Sequence, residues 1–313
     1  MANNILVTCA QVLSAPALLL FALNAPSVCY RNGATRALAT LLTACAAGSV
    51  VATVKIAHPS LAFMTGLLES WTVVWAAVLL LRHNPVEDAR RRRWSAEPRH
   101  DGEYEDGGVV WQRYPRRSWM ARLAWTLSLL ISFRGVGWQF GNPGAHGVFA
   151  LVHTTGQLAG PSPALDLQQY NPSPWGPLGA IIEHGLTGLW GVTWHNYFKF
   201  GFQSASDLAV PRTNSPRLKP LLRLLRMFWT FLLSGMMHYC GSYMLPGPTQ
   251  PSNELLFFVL QGVAVMLQIL VYDQFVDKRY RRVLNPLLVS AWLCWTEPLI
   301  FGDQRSGGMW TIS

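Results

Sequence analysis

Among its 8 histidines and 5 cysteines the chain has no HExxH, HxxxH or CxxC pair, and it contains no GxxxxGK phosphate loop, no GxSxG elbow and no GxGxxG turn. Each absence removes a chemistry. Without paired histidines at helical spacing, a membrane di-iron oxygenase or desaturase is disfavoured and no metal is expected. Without the glycine-rich motifs, nucleotide hydrolysis, ordinary serine hydrolysis and dinucleotide redox chemistry lose their usual scaffolds. Cys9, Cys29, Cys45, Cys240 and Cys294 are scattered, mostly in apolar runs, and are expected to be small core residues without a disulfide or zinc role. No basic segment precedes the first apolar run and no small-residue cleavage site followed by a soluble domain appears, so that run is expected to be retained.

Charge is also scarce. Only 13% of the 313 residues are charged, while half are hydrophobic and 14 Trp and 14 Phe add aromatic bulk. Such a composition predicts a multi-span integral membrane protein. Uncharged or nearly uncharged runs at 5–23, 37–54, 61–81, 123–140, 227–245, 255–271 and 287–301 predict seven spans. Two further apolar stretches, 144–158 and 177–194, are broken by His146, His153, Glu183, His184 and several glycines, and read as re-entrant or cavity-lining helices. The expected fold is all-α: one domain over 1–313, a bundle of about seven to nine transmembrane or re-entrant helices around a tunnel.

The formal charge of +9 does not imply a nucleic-acid partner, because the basic residues sit in loops between apolar runs, where topology selection puts them. Ten arginines fall in 82–122, including Arg90, Arg91, Arg92 and Arg93, interleaved with Glu87, Asp88, Glu97, Asp101, Glu103, Glu105 and Asp106. This stretch is expected to be a polar, partly disordered cytosolic loop. Arg31 and Arg36, the basic residues from Arg212 to Arg226, and those from Lys278 to Arg282 fall on the same side only if 144–194 makes an odd number of crossings. The Gly/Pro-rich tract 160–177 is then a loop within the membrane module.

Three stretches carry the chemistry. Ser234-Gly235-Met236-Met237-His238 puts a single imidazole inside the run 227–245. A titratable group at membrane depth is costly, so His238 is either functional or a structural hydrogen-bond partner. Leu189-Trp190-Gly191-Val192-Thr193-Trp194-His195-Asn196 delivers His195 and Asn196 among aromatics; an interfacial aromatic belt with a hydrated histidine explains it as well. Arg134-Gly135-Val136-Gly137-Trp138 sets an arginine at the end of an apolar run beside two glycines that let backbone approach a ligand, or it is simply a snorkelling arginine.

In this order the three stretches resemble the fungal branch of the wax synthase-like membrane-bound O-acyltransferases, which includes acetyltransferases of terpenoid and meroterpenoid pathways. Arg134 to Trp138 looks like that group's RGxGW element, Trp190 to His195 like its FWGxxWH element, and Ser234 to His238 like its SGxxH element. Phe257-Phe258-Val259-Leu260-Gln261-Gly262-Val263 looks like the span that follows, so the likeness extends over most of the chain. Two departures are visible. The group often has an acidic residue after the histidine, where this chain has Tyr239, and Leu-Arg-Asp or similar before the Trp-Gly pair, where it has Leu186-Thr187-Gly188-Leu189. Another group, Tyr239 or a backbone carbonyl, is then expected to orient the imidazole.

The resemblance implies transfer of an acyl group, in the first place acetyl, from a coenzyme A thioester to a hydroxyl of a hydrophobic acceptor such as a terpenoid or meroterpenoid. No bound cofactor or metal is implied; acetyl-CoA or another acyl-CoA is the co-substrate, and the bilayer and a hydrophobic alcohol are the other partners. His238 is assigned as general base and His195, or Asn196 beside it, as oxyanion donor or acceptor-positioning group. Arg134, Trp138, Trp190, Trp194, Asn196 and Tyr239 are expected to line the substrate site. Glycines 135, 137, 191 and 235 are expected to narrow the helices around a tunnel. A multi-pass protein of the endoplasmic reticulum is the expected setting. Two alternatives stay open: a long-chain wax or steryl ester synthase, and a transporter, for which Glu69 and Glu297 lie inside apolar runs but no inverted repeat is seen.

Overall fold

Apolar segments in lipid must satisfy their backbone groups internally, and a chain made mostly of such segments folds mostly as helices. The computed structural model describes residues 2–25, 32–93, 103–106, 109–116, 118–133, 138–140, 175–194, 197–211, 213 and 215–310. Among them run α1 (Ala2–Val12), α2 (Ser14–Asn24), α3 (Gly33–Thr53), α4 (Pro59–Arg82) and α5 (Trp119–Leu130). The second half holds α6 (Gly179–Gly188), α7 (Lys199–Ala209), α8 (Lys219–Met244), α9 (Pro251–Phe275) and α10 (Lys278–Ser306). Local chemistry starts several of them. The side chains of Asn32, His58, Ser118 and Asp277 each accept a backbone N–H in the first turn of α3, α4, α5 and α10, and proline opens α4 and α9.

Four helices among the described residues, α3, α4, α9 and α10, are long and apolar enough to cross a membrane. α8 has 26 residues, about 39 Å at 1.5 Å per residue, but Lys219, Arg223 and Arg226 occupy its first turns. Two expected spans are corrected. The run 5–23 divides into α1 and α2, 11 residues each, because Pro16 has no N–H to continue the ladder to Val12. The run 123–140 ends as a helix at Leu130; α5, with 12 residues, spans about 18 Å, short of the roughly 30 Å hydrocarbon thickness.

The all-α expectation needs an addition, because part of the charged stretch 82–122 is ordered as strands. Among the described residues of 82–140 lie four short strands, β1 (Ala89–Arg93), β2 (Glu103–Asp106), β3 (Val109–Gln112) and β4 (Trp138–Phe140), in an antiparallel sheet of order β2-β3-β1-β4. The register pairs Arg91 with Gln112 and, on the other side, with Trp138. Arg91 explains why so charged a stretch takes on structure. Its guanidinium donates to Gln112 Oε1 at 2.8 Å and to Ser128 Oγ of α5 at 3.2 Å, while its backbone joins both neighbouring strands.

The main buried cluster joins α2, α4, α5, β4 and α7 through Trp71, Trp75, Trp125, Trp138, Phe200 and Phe202. Beside it, α8 is held between α4 and α9 by glycines. A Cβ on Gly66 of α4 would lie 2.2 Å from the Cys240 carbonyl oxygen of α8. On the opposite side, a Cβ on Gly235 of α8 would lie 2.9 Å from Leu255 Cδ1, and one on Gly262 of α9 would lie 3.0 Å from Phe231 Cβ. Small residues at such crossings let membrane helices approach backbone to backbone, and dispersion then replaces the hydrophobic drive that lipid does not supply.

Candidate active site

α8 ends at Met244, a short connection carries the chain to Pro251, and α9 runs back along α8. This hairpin brings a residue late in α8 opposite one early in α9. The first is His238 and the second is Glu254. Glu254 Oε2 lies 3.6 Å from His238 Nδ1; the carboxylate is fully buried and the imidazole 20% exposed. Neither atom has a hydrogen-bond partner among the described residues, so each is left to the other, at a separation just beyond hydrogen-bond length. Glu254 Oε1 is held separately, accepting from Gln304 Nε2 at 3.0 Å near the end of α10.

The imidazole is walled by aromatics. Phe258, one helical turn after Glu254, packs on it with ring centroids 4.3 Å apart, and Phe63 of α4 approaches to 6.0 Å. Gly235, one turn before His238, makes the hairpin tight enough for these contacts. Tyr239 points elsewhere: it is 38% exposed and its ring lies parallel to that of Tyr243. The group that faces Nδ1 of the imidazole is therefore Glu254, which differs from the expected Tyr239 or backbone carbonyl.

Trp190 connects the second stretch to this wall. It sits in the π-helical turn Leu189–Thr193 that continues α6; its Nε1 donates to Gln261 Oε1 at 3.3 Å, and its ring meets Phe231, Phe257 and Phe258 edge-on. Phe258 thus touches both Trp190 and His238. Trp194 packs at right angles to Trp175 and against Trp190. Its strand-like exit from the turn is closed by Gly176 N–H donating to the Thr193 carbonyl at 3.0 Å and Thr193 Oγ1 donating to the Pro177 carbonyl at 2.9 Å. Among the described residues nothing lies within 4 Å of where a Cβ on Gly191 would be, so none of them crosses closely there. The Lys199 amine donates to the Gly191 carbonyl at 2.6 Å, and burial pushes its pKa below the usual lysine value.

α6 itself is broken, as a cavity-lining helix would be. Gly185 has φ 58° and ψ −133°, a conformation open to glycine and strained for other residues. The break frees backbone N–H and C=O groups, which are costly to leave without partners. Side chains serve them instead. Gln268 Oε1 accepts from the N–H of Leu186 at 2.8 Å and of Thr187 at 3.3 Å, its Nε2 donates to the His184 carbonyl at 2.8 Å, and Asn285 Nδ2 donates to the Ile182 carbonyl at 3.0 Å.

The other expected residues divide. Arg134, His195 and Asn196, with glycines 135 and 137 and the stretch 144–158, lie outside the described residues. Trp138 is 4% exposed in β4, edge-on to Trp125 at 4.7 Å, which places it in the tryptophan core. Of the two acids considered for a carrier, Glu69 is buried in α4 with Oε2 lacking a hydrogen-bond partner among the described residues, and Glu297 is exposed. Sequence reasoning missed Glu254, Phe258, Phe63 and Gln304. For Glu254 a signal existed: it is an acid at the mouth of an apolar run that follows the histidine helix by a short turn, but a carboxylate in a helix's first turn also has an ordinary electrostatic reason to be there.

Residues 173–260 match the model of the membrane bound O-acyl transferase family. Acetyltransferase spyB of Aspergillus fumigatus is 26% identical over 164 residues, covering 51% of this chain and 25% of spyB. Acetyltransferase pyr8 of the same fungus is 27% identical over 128 residues, 36% of this chain and 29% of pyr8. O-Mevalon transferase yanI of Aspergillus niger is 25% identical over 148 residues, 40% of this chain and 33% of yanI. The chain thus matches between a quarter and a third of the length of these curated relatives. No solved structure matches it. The matches agree with the resemblance to fungal membrane-bound O-acyltransferases carried by the sequence elements.

Proposed function

We propose that the protein is a multi-pass membrane O-acyltransferase that moves an acyl group, acetyl in the first place, from a coenzyme A thioester to the hydroxyl of a hydrophobic acceptor of terpenoid or meroterpenoid type. The observation that carries the proposal is the meeting of two sequence elements inside the family-matched segment 173–260: Phe258 packs on both Trp190 and His238, and His238 faces a buried carboxylate.

The chemistry follows from which nitrogen Glu254 faces. With Nδ1–H directed at Glu254 Oε2, the neutral imidazole keeps its lone pair on Nε2. Nε2 takes the proton of the acceptor hydroxyl as its oxygen bonds to the thioester carbonyl carbon. The C–S bond then breaks, and the departing thiolate of coenzyme A takes that proton back from the imidazolium. The carboxylate holds the ring in orientation and stabilises its transient positive charge. His195 or Asn196 is the donor to the developing oxyanion, with Arg134, Trp190, Trp194 and Tyr239 as the wider substrate-binding set, while Trp138, buried in the tryptophan core, supports the site from behind. The broken helix α6 and the aromatic wall around His238 support a tunnel through the bundle, entered by acyl-CoA from the cytosol and by the alcohol from the bilayer. The setting proposed is the endoplasmic reticulum, with 82–122 facing the cytosol. Two relatives named acetyltransferases favour the short donor over a long-chain wax or steryl ester reaction.

The test is incubation of microsomes holding the protein with labelled acetyl-CoA or palmitoyl-CoA and a panel of farnesol, geranylgeraniol, ergosterol and hexadecanol. Label passing from acetyl-CoA to an isoprenoid or sterol alcohol supports the proposal. Transfer from palmitoyl-CoA alone replaces it with the long-chain ester reaction, and absence of transfer from either donor to any alcohol removes it.

A further inference from the structure

The acid that faces His238 is not held by its own helix. Glu254 lies on α9, yet its Oε1 accepts from Gln304, which belongs to the last turns of α10. Gln304 is itself buried and is anchored through its neighbour. The fully buried Ser242 hydroxyl, one turn after His238 on α8, donates to Asp303 Oδ2, and the Gln250 N–H, just before α9, donates to Asp303 Oδ1 at 2.6 Å. A Cβ on Gly307 would lie 2.4 Å from Leu245 Cδ1, and one on Gly247 would lie 2.3 Å from the Ser306 carbonyl oxygen, so this segment is seated directly on the α8–α9 turn. The end of α10, about 50 residues further along the chain, is thus locked to the α8–α9 hairpin and supplies the donor to the Glu254 carboxylate.

Resting on the acyltransferase reading above, we infer that Gln304 is a positioning residue: by occupying Glu254 Oε1 it leaves Oε2 turned to His238 Nδ1, and Asp303 latches Gln304 in place. Glu254 Oε2 has no partner other than His238 among the described residues, and Gln304 is the partner that Oε1 has. Replace its amide by an apolar group and a buried carboxylate loses its donor while keeping its side-chain torsions with which to seek another. The carboxylate then swings from the imidazole, and the ring is no longer held with Nε2 toward the reacting oxygen. Gln304 touches neither substrate nor imidazole; it acts through Glu254.

The test compares Gln304→Met, close to glutamine in length and shape, with Glu254→Gln and with the double variant, in microsomes adjusted to equal amounts of folded protein. Two readouts are used. The first is acetyl transfer from acetyl-CoA to whichever alcohol of the panel the unaltered enzyme prefers, followed across pH. Gln304→Met is expected to lower kcat about 10- to 100-fold, the range for losing a hydrogen bond to a charged group, with KM for acetyl-CoA unchanged. Its kcat/KM profile is expected to shift on the acid side in the same direction as that of Glu254→Gln, and the double variant is expected to fall no further than Glu254→Gln alone. The second readout needs no substrate: the rate at which diethylpyrocarbonate modifies His238, mapped by mass spectrometry. It is expected to change alike in both single variants and no more in the double.

Independent, multiplying losses, or a Gln304→Met enzyme with unaltered kcat, pH profile and His238 reactivity, overturn the inference. Should Gln304→Met fail to accumulate, the isosteric Gln304→Glu carries the test through the same comparisons. A changed pH profile and His238 reactivity that depend on Glu254 uphold the inference; changes that persist in Glu254→Gln, or no change, overturn it. An inactive His238→Asn beside a normal Gln304→Met sinks this inference alone, whereas a fully active His238→Asn sinks the acyltransferase mechanism beneath it.

Discussion

Glu254 Oε2 lies 3.6 Å from His238 Nδ1, across the hairpin formed by α8 and α9. A buried carboxylate beside an imidazole is a costly arrangement unless each serves the other, and the cost is justified if the imidazole gains a transient charge during turnover. Glu254→Gln keeps the shape and the link to Gln304 but removes the charge. It is expected to accumulate normally and to lower kcat by about one to two orders of magnitude, the size of a lost charge-assisted contact. Normal kcat in this variant would show that the pair is structural.

His238→Ala and His238→Asn should both insert at normal abundance and lose about two to four orders of magnitude of acyl transfer, the span associated with losing a general base. The asparagine variant is the decisive one, since it keeps hydrogen-bonding ability without basicity. Near-normal turnover by His238→Asn would leave the imidazole a structural role only.

His195→Ala is expected to reduce turnover more than folding, as a donor to the oxyanion would. Retention of full acyl transfer by this variant would assign the Trp190–Trp194 stretch to an aromatic belt.

Gln268→Leu strands the N–H groups of Leu186 and Thr187 and the His184 carbonyl at the break in α6. Each buried unsatisfied group costs about 1–3 kcal/mol, so a large drop in thermal stability after detergent extraction is expected. Gln268→Glu keeps the acceptor for both N–H groups and should lose less. Equal stability of the two would mean that the break is served by other groups.

Gly66→Ala puts a methyl where the Cys240 carbonyl oxygen would be 2.2 Å away, so α4 and α8 must separate. Overpacking of this kind costs about 1–3 kcal/mol, and α8 carries His238, so both folded yield and turnover should fall. Gly48→Ala, which meets nothing within 4 Å among the described residues, is the control and should leave both unchanged.

Much of this protein is legible in one dimension, for a physical reason. In a membrane, hydrophobicity over a stretch of residues decides placement, and hydrophobicity is a local property of sequence. The runs 61–81, 255–271 and 287–301 accordingly lie within α4, α9 and α10, all but the last residue of 37–54 lies within α3, and the broken character of 177–194 reappears as the Gly185 kink and the π-helical turn. The importance of His238 could also be read locally, because an imidazole in an apolar run is exceptional wherever its neighbours fall. What stayed illegible depends on contacts between distant segments. That 89–93 is a strand depends on β3 and β4 to pair with it, and the alternating charges of 82–122 offer no apolar face from which a sheet could be inferred. That Trp138 belongs to the tryptophan core depends on Trp125 lying against it. Above all, residue i+1 on a helix points about 100° away from residue i, so Tyr239 does not face the imidazole that precedes it. The facing group had to come from another helix, and only the tertiary crossing of α8 and α9, allowed by Gly235, with the end of α10 holding the far oxygen, decided that it is Glu254.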